Sequence, residues 1–123
     1  MTTHIELIME GDDEGIMYVF DRAGEGLMMH DHDHTSAHNI LVLKGKVVVY
    51  GDLPAVVMAP GFEYPIDWSR QHEVIALEDG TTIFNRLLNG VPSEFRTLPP
   101  DKRSGSMDDT LHNPIPYHTA LTR

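Results

Sequence analysis

Residues 26–45 read GLMMHDHDHTSAHNILVLKG, with a glycine at each end and four of the eight histidines between positions 30 and 38. Two apolar runs of strand length, LMMH (27–30) and NILVL (39–43), flank the cluster. Side chains alternate along a strand, so residues of equal parity share a face. His30, His32, His34 and His38 are all even-numbered, as are Ile40 and Val42. If His30 to His34 closes one strand and His38 opens the next, an antiparallel turn gathers the imidazoles, while Asp31 and Asp33 point the other way. Imidazole suits Fe, Mn, Ni, Cu or Zn, whereas Ca and Mg prefer oxygen. A solvated His/Asp loop and adventitious metal uptake are the plainer alternatives.

Outward from this segment the same strand-length pattern recurs. IELIM (5–9) ends at GDDEG, IMYVF (16–20) at DRAGEG and VVVY (47–50) at GDLP. AVVMA (55–59) ends at Pro60-Gly61, EVIAL (73–77) at EDG and TIFNRLL (82–88) at Asn89-Gly90. Short Val- and Ile-rich runs at this spacing predict an all-β barrel or sandwich. No stretch has the apolar period of a three-turn helix. From Val91 the composition changes. The remaining residues carry five of the eight prolines and no alternation. The expected organisation is a barrel over 1–90 and a Pro-rich arm or tail over 91–123, with no regular ladder in it. The isolated His112 and His118 in that segment read as surface residues.

A chain of 123 residues is the size of one domain. It has no cysteine, so any transition metal must be held by nitrogen and oxygen. A net charge of −10 argues against a nucleic-acid partner, because the pairs Lys44/Lys46 and Lys102/Arg103 are too sparse to form a basic patch. No apolar run is long enough to cross a bilayer, and no signal-peptide pattern opens the chain, so a cytoplasmic location is expected.

A further ligand should come from a strand across the barrel. Between Asn39 and Leu111 the only histidine is His72, whose parity matches Val74 and Ala76. At this point the sequence resembles a cupin. The first cupin motif, G-x5-H-x-H-x3,4-E-x6-G, is met in spacing by Gly26, His32, His34, His38 and Gly45, with His38 standing where glutamate is usual. That change resembles the four-histidine branch of small single-domain cupins. The second motif, G-x5-P-x-G-x2-H-x3-N, is met in part: Pro60-Gly61 and His72 are present, FEYPIDWSRQ is longer than usual, and Ala76 replaces the asparagine. The resemblance spans roughly residues 5–90. It implies a double-stranded β-helix (jelly-roll barrel) and one divalent transition metal per chain (Fe, Mn, Ni, Cu or Zn) on His32, His34, His38 and His72. It also implies a homodimer, since cupins commonly pair through their outer strands and an open barrel has edges to protect.

Four neutral imidazoles leave a divalent ion its full charge, which favours anionic chelators such as enolates. The function expected is an Fe(II)-type dioxygenase cleaving enolisable diketone or hydroxyketone-like small molecules. An isomerase or lyase using Mn, Ni or Zn is the alternative, and a non-catalytic metal- or ligand-binding cupin is another. The isomerase or lyase needs a base, for which His30, Tyr64 and Glu63 are candidates. Phe62, Tyr64 and Trp68, from the aromatic stretch before His72, are candidates to line the substrate pocket or to plug the barrel end.

Overall fold

The computed structural model describes residues 3–9, 11–30, 37–52, 54–65, 71–91 and 93–106, with backbone alone at 28–30, 94 and 106. Within these the chain forms β1 (Thr3–Ile8), β2 (Gly15–Phe20), β3 (Gly26–His30), β4 (His38–Lys44) and β5 (Val47–Gly51). It continues through β6 (Val56–Met58), β7 (Glu63–Pro65), β8 (His72–Ala76) and β9 (Thr81–Leu87) to the short helix α1 (Ser93–Arg96) and β10 (Ser104–Ser106). One sheet has the order β10-β1-β2-β9-β4-β7 and the other β3-β8-β5-β6, with every pairing antiparallel. Strict alternation in β1, β4, β5 and β8 sends one side of each strand inward. The inward rows meet in one core. Ile5, Ile16, Tyr18, Ile40, Val42 and Ile83 line it from the larger sheet, and Leu27, Val47, Val49, Val74 and Ala76 from the smaller. This is the all-β jelly-roll architecture expected.

The glycines that bracket the histidine segment have steric reasons. A Cβ on Gly26 would lie 1.9 Å from the Val74 carbonyl oxygen, so only glycine lets β3 lie against β8 there. Gly45 turns β4 into β5 at φ +80°, and a Cβ on it would meet Thr81 Oγ1 at 2.3 Å.

Two elements differ from the sequence expectation. The stretch after Val91, expected to lack a ladder, contributes β10, which pairs His4, Ile5 and Glu6 of β1 with Ser106, Gly105 and Ser104. Ser-Gly-Ser carries no apolar alternation; its ladder is made by backbone groups on the otherwise open edge of β1, and Leu7 N–H donates to the Arg103 carbonyl at 2.7 Å beside it. Val91 and Phe95 are buried in the core, which anchors the segment from the other side. The second element is β7, whose three residues end at Pro65 on the sheet edge, where a missing N–H costs nothing.

Glu14 ties the arm to the barrel. Its Oε1 accepts hydrogen bonds from the Val91 N–H at 2.9 Å and from the Arg96 guanidinium. The Arg96 bond first, then the Val91 bond, holds its carboxyl below the usual carboxylate range.

Candidate functional site

His38 opens β4 and His72 opens β8, so one histidine comes from each sheet. Both stand in the inward rows that parity assigns them, with Ile40 and Val42 and with Val74 and Ala76, and both are 0% exposed. Their ring centroids lie 5.1 Å apart, with the planes tilted by 53°. With metal–nitrogen bonds of about 2.1 Å, two imidazoles on adjacent positions of one ion hold their ring centres roughly 4.6–5.3 Å apart. The spacing of the pair falls within that range. His32 and His34 lie outside the described residues, as do Trp68, His112 and His118. Among the described residues, no group of three or more His, Asp or Glu side chains gathers in metal-binding geometry.

The route by which the histidines were expected to gather needs correction. β3 and β4 do not form a hairpin: β3 pairs with β8 in the smaller sheet, and β4 pairs with β9 and β7 in the larger. The two strands therefore belong to different sheets. β3 ends at His30, whose register partner is His72. Parity counted back from His30 would put the buried Leu27 on the opposite face. A bulge between Leu27 and His30 takes up the odd residue, so both stand opposite inward residues of β8, Val74 and His72.

The aromatic stretch divides by face. Tyr64 pairs with the inward Ile40 and packs against the core, half-buried. Glu63, a candidate base, pairs with Leu41 on the outer face and is exposed. There it accepts a hydrogen bond from Asn39 Nδ2 at 2.7 Å and lies 3.6 Å from Arg86 Nη1. A strand's alternation puts neighbours on opposite faces, so Glu63 lies on the face opposite the core row that Tyr64 packs against. Phe62 is 65% exposed and borders, with Tyr64 and Met58, a cleft of about 240 Å³ between β6 and β7. On the outer face beside His72, Glu73 takes the Tyr50 hydroxyl as donor, and that bond pushes the phenol's ionisation upward.

Two buried polar residues had not been singled out in the sequence. Glu25 lies beside the edge bond pair of Ala76, away from the histidine end, and accepts from Thr3 Oγ1 at 2.9 Å and from Asp21 N–H at 3.1 Å. Asn85 stands in the inward row of β9 between Ile83 and Leu87 and is 1% exposed. A signal for Asn85 was available: an amide occupies an odd position of TTIFNRL where Ile83 and Leu87 set the apolar period.

No protein-family model matches this chain, and no curated protein matches it in sequence. Solved structures do match. KdgF from Halomonas sp. is 20% identical over 68% of this chain and 74% of its own, with a TM-score of 0.57. A cupin superfamily protein from Desulfitobacterium hafniense is 14% identical over 69% of this chain and 76% of its own, also at 0.57. An RmlC-like cupin from Desulfovibrio desulfuricans is 26% identical over 67% of this chain and 79% of its own, at 0.53.

Proposed function

We propose that this chain, which has the fold of the cupin superfamily, is a metal-dependent enzyme acting on a small oxygenated molecule. The ligands are His32, His34, His38 and His72. One observation carries the reading: two fully buried histidines, one from each sheet, face each other at 5.1 Å between ring centroids. Buried imidazoles bring ring nitrogens into an apolar interior, and a shared divalent ion is a group that both can serve. When bound, the divalent ion supplies Lewis acidity and open positions for an oxygenated chelator. The protein's part is to set His38 and His72 on opposite sheets, with apolar rows beneath them that exclude bulk water.

The dioxygenase reading is preferred to an isomerase or lyase. The latter depends on a side-chain base, and Glu63 is engaged with Asn39 and Arg86 on the outer face. Tyr64 and His30 remain its candidates. The substrate class follows from the ligand set, since four neutral ligands leave the ion's charge available to an enolate. A homodimer and a cytoplasmic location belong to the same reading; among the described residues no helix is long and apolar enough to cross a membrane.

The test is elemental analysis of protein purified without chelator, followed by oxygen uptake by the Fe-loaded protein across a panel of β-diketones and hydroxyketones. One divalent ion per chain and diketone-dependent oxygen consumption are expected. Unchanged metal affinity in His72→Ala overturns the ligand assignment. Full metal content without turnover on any compound leaves binding and removes the enzyme.

A further inference from the structure

We infer that Asn85 is a ligand-recognition residue: its carboxamide forms the floor of the site below the histidine pair and hydrogen-bonds an oxygen of the bound small molecule. This rests on the reading that the histidine end of the barrel holds a small oxygenated ligand.

The register locates it. His38 pairs with Leu87 and Ile40 with Asn85, so along β9 the amide is one inward step below the level of His38. On its other side Asn85 pairs with Ile16 of β2. Across the barrel the corresponding step below His72 is Val74, flanked in register by Leu27 and Val49. Ile16, Ile40, Leu27, Val49 and Val74 are all fully buried. Asn85 is thus the polar member among these apolar inward positions, each one step in from the histidine level in register.

Among the described residues, neither Asn85 Oδ1 nor Nδ2 has a hydrogen-bond partner, and both atoms are buried. A buried amide with donor and acceptor both unmet destabilises the fold. Asparagine is also a poor strand former, and valine would suit both the strand and the layer. The side chain therefore costs stability as the protein stands, and that cost is recovered when something with complementary groups is present. Nδ2 donates to a carbonyl, carboxylate or enolate oxygen, and Oδ1 accepts from a hydroxyl. The ligand class this describes is a small hydroxyketone or diketone, one end at the histidines and one oxygen on the amide. Buried polar groups of this kind discriminate sharply against analogues that lack the matching oxygen.

The experiment compares wild type with Asn85→Val and, in case the shorter side chain disturbs folding, Asn85→Leu. Melting is followed on chelator-treated protein, and binding of acetylacetone and hydroxyacetone is titrated by calorimetry on metal-supplemented protein. Expected are a melting temperature raised by about 3–6 °C in a variant and a loss of tenfold or more in affinity for at least one probe, with unchanged metal content. A melting temperature lowered in both variants means that the amide is structural and overturns the inference. So does unchanged affinity for both probes, or a wild type that binds neither. Metal content reports on the histidine reading separately: wild type without metal defeats that reading, while the melting comparison still judges Asn85.

Discussion

Gly26→Ala tests how the histidine segment is attached to the barrel. The new methyl carbon would lie 1.9 Å from the Val74 carbonyl oxygen, 2.9 Å from its carbon and 3.0 Å from Ile75 Cα. Those atoms are backbone and cannot rotate away, so β3 must retreat from β8 by about 1 Å or more. β3 is the outermost strand of its sheet and pairs with β8 alone among the described residues. The retreat strains the Gly26–Ile75 and Leu27–Val74 pairings and the two flanking bonds, Gly24 N–H to Ala76 O and Ala76 N–H to Glu25 O, each 2.8 Å. A net 0.5–1.5 kcal/mol per bond is typical, and partial exposure of the fully buried Leu27 adds about 1 kcal/mol. The expected loss is about 3–5 kcal/mol, a large share of the roughly 5–15 kcal/mol that stabilises a domain. Urea unfolding followed by far-ultraviolet circular dichroism measures it. Gly61→Ala is the control: its φ of +96° is unfavourable to alanine, but nothing lies within 4 Å of the added carbon, so about 1 kcal/mol is expected. A Gly26→Ala variant no less stable than this control would refute the steric argument. Because β3 ends at His30, two positions before His32 in sequence, metal content should fall together with stability.

Other outcomes follow from the same structure. His38→Glu should retain metal but bind acetylacetone at least tenfold more weakly, because charges about 4 Å apart interact by roughly 4 kcal/mol at an effective dielectric near 20 and about 1.4 kcal/mol is tenfold. Equal affinity by calorimetry would mean that ligand charge is not why this position is histidine. Glu14→Ala should lower the urea midpoint at pH 7, where the carboxylate holds Arg96 and Val91. Since folding lowers the Glu14 pKa, its contribution is present above the unfolded value of about 4.3 and is lost as pH falls through the folded one; the gap between variant and wild type should therefore narrow below about pH 4. Ending the chain after Asp101 removes β10 and uncovers the β1 edge. Metal per chain should stay unchanged by elemental analysis, while light scattering should report increased self-association.

Period-two alternation is a local property, written residue by residue, so the amino-acid order alone determined that His38 shares a face with Ile40 and Val42 and His72 with Val74 and Ala76. It also determined eight of the strands, because runs such as IMYVF and EVIAL bury one face and end at glycine or proline. Partnership between distant strands is not local, and there the tertiary structure decided. It set β3 against β8 rather than β4, with a bulge that realigns His30 with His72, because backbone sterics at Gly26 and Val74 permit that approach. It brought His38 and His72 to 5.1 Å from opposite sheets, turned Glu63 to the outer face one residue from Tyr64, and recruited Ser-Gly-Ser through backbone groups that carry no side-chain signal. It also left the Asn85 amide among isoleucines and valines. Its parity with Ile83 and Leu87 already pointed it inward, but only the packed layer around it makes its unmet hydrogen bonds a statement about a ligand.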